Sequence, residues 1–406
     1  MTSSHGGKSD PRAFARPARA EGAQISPAPA SEPHLPVAQP SLVKEGRTVW
    51  VWTWPFIGLF ALATLAFFLA EYGLAAPALA SVIAFLPFAA VVLALLWLDR
   101  WEPEPVGMLV FATAWGAFVS IALTLLVGVF LYTTVPYATM FSWFGSVVQA
   151  PIVEEILKCL GMLLIFAMAK RSLDGTLDGI IYGGLIGAGF AFVENIKYFV
   201  EALLAGGVGE LTTVFFLRAI LSPFAHIMFT AACGFAVGLA VRRARPVFFP
   251  WLLGLLVAIV LHAFWNASAA FAGFFLPYVL LQVPLFIVFI AVSIRIRRAE
   301  LLLRRERLED YVRAGWFTAP EADMLSTKPG RTAGLAWARS LPGDRRPIMR
   351  DFIHDGARLA WARQRAITGT DALAAADEHV LLARMMSTRA RLLAPIGVGN
   401  DWSTGS

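Results

Sequence analysis

Charge is scarce in this sequence: Asp, Glu, Lys and Arg make up only 15% of its 406 residues, against 58% hydrophobic residues. Soluble globular domains carry about 25% charged residues, so that class is excluded. Cysteine is nearly absent. The two present, Cys159 and Cys233, both fall inside apolar runs, which excludes a disulfide framework and a C-x-x-C metal motif. The first 49 residues lack an apolar core, so no cleavable signal peptide is read there; residues 1–48, rich in Pro, Ala and Ser, are expected to be disordered. Basic residues interleaved with aromatics along one face are also missing. The net charge of +6 sits beside apolar runs and toward the C-terminus, a pattern of membrane orientation rather than nucleic-acid binding.

What the sequence has instead is long apolar runs. A bilayer core about 30 Å thick is crossed by roughly 20 apolar residues of helix, and such runs follow one another from Trp50 to Ile294. Eight spans are predicted, at about 50–70, 75–98, 107–131, 150–169, 178–200, 222–241, 249–269 and 275–294, with 211–221 as a short interfacial or re-entrant piece. The expected fold class is all-α: a polytopic membrane helix bundle over 49–294, then a small helical cytoplasmic region over 295–406 with a disordered end. Arg12, Arg16, Arg19, Lys44 and Arg47 precede the first span, and Arg295, Arg297 and Arg298 follow the last. Arg100, Lys170, Arg171, Arg242, Arg243 and Arg245 fall in loops of that same side, whereas the opposite loops hold only Arg218. Both termini are therefore expected in the cytoplasm.

This orientation sets the depth of each intramembrane polar residue. Glu154 and Glu155 of "APIVEEILK" lie about one turn in from the outer side, and Glu194 and Asn195 of "GFAFVENIKYF" lie near the outer end of the fifth span. His226 of "SPFAHIMF" falls in the first turns of the sixth, and His262 with Asn266 of "LHAFWNAS" in the outer half of the seventh. Four spans thus bring ionisable groups to one depth. A charge at a helix centre costs about 2.5–3.5 kcal/mol on insertion scales, so such groups face the bundle interior or a water-filled cavity. Glu154 and Lys158 are four apart and can neutralise each other; His262 and Asn266 share that spacing and face one way. Lys197 and Arg218 are read as reaching outward to the membrane interface.

Two chemistries fit the inventory. A glutamate beside a histidine can activate water toward a carbonyl, with His and Asn stabilising the oxyanion and no metal required. Alternatively, His226 and His262 with Glu194 or Glu154 can hold zinc, leaving a position for water and another Glu as base. The class outside enzymes is a non-catalytic transporter or scaffold using the charges as a polar lock. A transporter built on inverted repeats is not supported, as no internal repeat is visible.

The ordered motifs "LDRWEPEP" (98–105), "APIVEEILK", "DGIIYGGLIGAGFAFVEN" (178–195), His226 followed by "GFAVG", and "LHAFWN" from Leu261 resemble the PrsW family of intramembrane proteases over about residues 95–270. The resemblance implies an integral membrane peptidase of the bacterial plasma membrane. Its implied substrate is a single-pass regulatory protein of the anti-sigma-factor kind, cut near the extracytoplasmic side in the first step of a two-step cascade. The implied site residues are Glu154, Glu155, Glu194, His226, His262 and Asn266, with zinc or no cofactor. The related CAAX-processing glutamate proteases carry a histidine where this chain has Glu194, four residues after Phe190.

Asp99, Glu102 and Glu104 lie on the opposite side of the membrane and are expected in a solvated turn stiffened by Pro103 and Pro105. In the tail, "RIRRAELLLRRERLEDYVRAG" (295–315) reads as a charged helix continuing the last span, and apolar residues at three- and four-residue spacing predict a helical domain over about 310–395. His354 and His379 are isolated there and are assigned no catalytic role.

Overall fold

In lipid a helix satisfies its own backbone hydrogen bonds, which is why apolar runs of this length fold as helices. A computed structural model describes residues 47–100, 104–134, 143–168, 173, 175–243, 245–271, 273–369 and 373–394, with side chains from residue 53 onward. The expectations for residues 1–46, Glu102, Pro103, Lys170, Arg171 and the C-terminal end (395–406) lie outside the described residues. Regular structure among the described residues is helical throughout: α1 (Arg47–Tyr72), α2 (Ala75–Asp99), α3 (Val106–Thr134), α4 (Ala150–Met168), α5 (Thr176–Phe215), α6 (Ala225–Arg242), α7 (Phe248–Phe271) and α8 (Val283–Arg313), then α9 (Ala319–Ser326), α10 (Lys328–Ser340), α11 (Arg346–Thr368) and α12 (Ala374–Leu393). Contacts divide the chain into a unit spanning Val43–Ala299 and a second whose described part begins at Glu300.

Six stretches are long and apolar enough to cross a membrane: Thr53–Tyr72, Ala75–Asp99, Val106–Thr134, Thr176–Arg242, Phe248–Phe271 and Phe275–Arg313. Two features separate this number from the eight expected. Helix α4 is not among them because it carries Glu154, Glu155 and Lys158 in close succession. The stretch Thr176–Arg242, 67 residues long, doubles back on itself. Gly207 breaks the helix with φ 67° and ψ −152°, a left-handed conformation that glycine adopts at little cost. Beyond it the chain returns antiparallel: Phe215 packs on Phe199 with ring centroids 5.8 Å apart, and Gly234 of α6 abuts Gly179 of α5.

That abutment is what locks α6 to α5. A Cβ on Gly179 would stand 2.1 Å from the Gly234 carbonyl oxygen, and one on Gly234 1.9 Å from that of Gly179. Small residues at such crossings let backbones approach and so stabilise helix pairs in lipid, where no hydrophobic driving force is available. Helix α5 is equally close to α3 on another side, where a Cβ on Gly189 would come 2.0 Å from the Thr113 oxygen. With its backbone pinned on two sides, α5 is buried along most of its first 27 residues.

The turn after α2 differs from expectation. Asp99 and Glu104 are buried, not solvated: the Glu104 amide donates to Asp99 at 3.1 Å, and the Tyr182 hydroxyl donates to the Glu104 carboxylate at 2.6 Å. A buried tyrosine requires such a partner, and α5 brings Tyr182 to the turn.

The second unit has its own core around Leu308, Tyr311, Phe352, Leu359 and Met385. Thr318 and Glu321 form a capping box that starts α9. Arg363 joins helices by pairing with Asp310 at 3.4 Å and Glu378 at 3.6 Å, and the Tyr311 hydroxyl donates to Glu378 at 2.7 Å. His354 and His379 are exposed on its helices.

Gly234→Ala is expected to push α5 and α6 apart and destabilise the bundle by about 1–3 kcal/mol, the usual range for overpacking. Gly58→Ala is the matched control, since a Cβ there meets nothing within 4 Å. Thermal unfolding of the two variants in the same detergent checks this: a lowered midpoint for the first alone is the expected result.

Candidate active site

The site begins on α4. Lys158 lies four residues after Glu154 and three after Glu155, spacings at which it can reach both, and all three are buried. The Lys158 ammonium lies 2.8 Å from Glu155 Oε1 and 3.2 Å from Glu154 Oε2. Two tryptophans hold this turn in place. Trp115 of α3 donates its indole N–H to the Leu157 carbonyl at 3.0 Å, and Trp251 of α7 donates to that of Cys159 at 2.9 Å. The carbonyls on either side of Lys158 are thus gripped by different helices.

Helices α6 and α7 supply the histidines. His262 Nδ1 is 3.0 Å from Glu155 Oε1. An ionised carboxylate only accepts hydrogen bonds, so Nδ1 carries the hydrogen and donates it, and in neutral His262 the lone pair is on Nε2. That nitrogen faces Glu154 Oε2 at 3.9 Å, too far for a direct bond and the right span for one bridging water. Phe229 stacks on the imidazole with ring centroids 5.0 Å apart. The Thr230 hydroxyl donates to the other oxygen of Glu155 at 3.1 Å. Glu155 is therefore fully engaged, whereas Glu154 is bonded to Lys158 and borders a cavity of about 90 Å³ shared with Glu194, His226, His262 and Asn266. One water needs roughly 10–15 Å³ measured this way, so the cavity holds several.

His226 Nδ1 stands 3.2 Å from Lys158 Nζ. Lysine has no acceptor, so Nδ1 accepts and the ring hydrogen is on Nε2, which donates to Glu194 at 2.9 Å. Glu194 is also paired with Arg218, whose Nε donates to Asn195 at 2.7 Å and whose guanidinium lies 3.9 Å over the Tyr198 ring. The structure thus brings together all six residues named from the sequence, with differences of role. Glu154, Glu155, His226 and His262 form the group whose ligand atoms lie within 4.8 Å of one another; Glu194 stands outside it. Asn266 gives an amide hydrogen to the Ser146 carbonyl at 2.7 Å and keeps one more for the cavity.

Arg218 is the main correction. Read from the sequence as reaching outward, it instead pairs with Glu194 and Asn195, because the reversal at Gly207 returns it to the end of α5. The residues that sequence reasoning passed over are Trp115, Trp251 and Thr230. Being uncharged, they left no signal in an apolar sequence. Lys197 pairs with Glu201 at 2.7 Å in a partly exposed position. Arg218→Leu is expected to cost about 1–3 kcal/mol, below the range for a fully buried pair because Glu194 is only partly buried and keeps His226 as a donor, and Lys197→Leu about 0–1 kcal/mol, as for an exposed pair. Thermal unfolding of both variants in one detergent gives the comparison.

Comparison with known proteins bears on what such a cluster belongs to. A family model described as PrsW family intramembrane metalloprotease matches residues 104–292, which takes in the whole cluster. Protease PrsW of Clostridioides difficile is 33% identical over 173 residues, 40% of this chain and 68% of that protein. Protease PrsW of Bacillus subtilis is 34% identical over 122 residues, 30% of this chain and 52% of that protein, so the match spans about half the length of the Bacillus relative. No solved structure matches the chain. The match to the Clostridioides relative over two thirds of its length, together with the family model over the helices that carry the cluster, shows that this chain is an integral membrane protein belonging to the PrsW family.

Proposed function

We propose that the chain is an intramembrane endopeptidase in which Glu154 and His262 hold the attacking water. One observation carries this reading: His262, fixed through Nδ1 by Glu155, presents its Nε2 lone pair to Glu154 across 3.9 Å at the edge of a cavity. A water seated there donates one hydrogen to Glu154 and the other to His262. As its oxygen attacks the scissile carbonyl, Glu154 takes the proton. The oxyanion that forms accepts the second amide hydrogen of Asn266. Glu154 then returns its proton to the leaving amine, the C–N bond breaks, and the products are a new carboxylate and a new amine.

The family description names a metalloprotease, and the donor types, two histidines and two glutamates, suit zinc. Their arrangement does not fit it. The Lys158 ammonium stands within 3.2 Å of Glu154, Glu155 and His226 alike, so three of the four donors already serve a cation. No step of the reaction is routed through a metal.

Eight membrane crossings over residues 49–294 accommodate the fold best, counting α4 as a span despite its charges and the hairpin about Gly207 as two. With the basic loops inside, both termini are cytoplasmic, residues 295–406 are a cytoplasmic region, and the cavity lies in the extracytoplasmic half of a bacterial plasma membrane. The substrate that the family resemblance implies is a single-pass membrane protein of the anti-sigma-factor kind, cut near its extracytoplasmic side, and that depth suits such a cut.

Glu154→Gln is expected to abolish cleavage of a candidate single-pass substrate while the protein still inserts and unfolds normally, because it removes the base and keeps the side-chain volume. Wild-type cleavage by this variant would end the assignment. For the orientation, single cysteines placed at 143–149 should react with an impermeant thiol reagent on intact cells, and those at 242–248 only after permeabilisation. The reverse pattern would invert the depth argument.

A further inference from the structure

The buried lysine of α4 has a feature the proposed reaction leaves unused. Lys158 is fully buried, and its three ammonium hydrogens have three acceptors: Glu155 at 2.8 Å, Glu154 at 3.2 Å and His226 Nδ1 at 3.2 Å. The nitrogen also lies over the Phe190 ring, 3.7 Å from the centroid, a favourable placement for a desolvated cation. Nothing about this cation is incomplete. A metal ligated by the same atoms would need them about 2.0–2.2 Å away, closer than the 2.8–3.2 Å at which Nζ holds them, and Nζ already occupies the space they share. Both nitrogens of His226 are committed as well, Nδ1 to Lys158 and Nε2 to Glu194 at 2.9 Å.

We propose that Lys158 is the resident cation of this site: its ammonium takes the place that a divalent metal would take, and removing it leaves Glu154, Glu155 and His226, with His262 beside them, to act as a metal site. In this role Lys158 is a positioning residue. It holds two adjacent carboxylates together in a medium where they would otherwise repel, and it dictates that His226 donates from Nε2. Three carboxylates, Glu154, Glu155 and Glu194, face two fixed cations, Lys158 and Arg218. The surplus negative charge falls to Glu154, which borders the cavity and has the fewest donors. The assignment deepens the metal-free reading of the reaction and rests on it only for why the charge matters; the metal test itself is independent of activity.

The test uses the full chain purified in detergent without chelator. Elemental analysis of the wild type should find zinc, iron and manganese well below stoichiometric amounts, and added cobalt(II) should give no visible ligand-field bands. Lys158→Met keeps the length of the side chain and deletes the charge. It should take up about one cobalt or zinc per chain with the bands of a low-symmetry N/O site, and zinc should raise its thermal midpoint but not that of the wild type. A further His226→Ala should lose the acquired metal. Lys158→Arg should stay folded and metal-free, which separates loss of charge from loss of packing if Lys158→Met is recovered only in the presence of metal. Stoichiometric metal in the wild type overturns the proposal without any variant. So does a folded Lys158→Met that binds none. Absence of cleavage in a folded, metal-free wild type would instead count against the endopeptidase reading.

Discussion

An ammonium group sealed inside an apolar helix bundle is the interaction from which the rest of this structure follows. A lone charge at that depth costs several kcal/mol, and lysine does not escape by reaching the interface when its helix is enclosed by others. The bundle answers with two carboxylates one helical turn away, a histidine lone pair and an aromatic face. Each answer imposes a demand of its own. The carboxylates need further donors, supplied by Thr230 and His262; His226 needs an acceptor for its other nitrogen, supplied by Glu194; and Glu194 needs Arg218. The chain of demands crosses α4, α5, α6 and α7 and ends at the cavity.

Such a network keeps its geometry only if the helices cannot slide, and the tight packing is found where sliding would matter. Gly179 and Gly234 place the backbones of α5 and α6 in contact, which fixes His226 against Glu194. Trp115 and Trp251 hold the carbonyls on either side of Lys158 from opposite directions. A shift of one residue along α4 would break both indole bonds and carry the charged face away from the histidines.

Much of this was legible in the sequence because insertion energetics make charge conspicuous. Glu154, Glu155, Glu194, His226 and His262 stand out in apolar surroundings, and orientation by basic loops predicts that they share a depth. What was illegible depends on pairings distant in the chain. Arg218 resembles an interface residue until Gly207 reverses the helix, and a φ of 67° leaves no mark in composition beyond one more glycine. Asp99 and Glu104 look solvated because proline-bearing acidic turns usually are; their burial depends on Tyr182, 78 residues beyond Glu104. At α4 the charges that make the helix informative also keep it out of the helices apolar enough to cross a membrane.

The two neighbouring glutamates end up chemically unlike, although the sequence presents them as a pair. Glu155 is enclosed, with Lys158, Thr230 and His262 as donors. A proton placed on it would break one of these bonds, so it works best as a permanent anion that orients imidazole. Glu154 sits one position earlier, rotated about 100° around the helix, which turns it from the packed interior toward the cavity. It has Lys158 at 3.2 Å and His262 across a gap wide enough for water. A carboxylate that both reaches water and has spare capacity can accept a proton and give it back. The helical offset between adjacent residues thus separates the group that holds the histidine from the group that borders the cavity, to which the proposed reaction gives the proton.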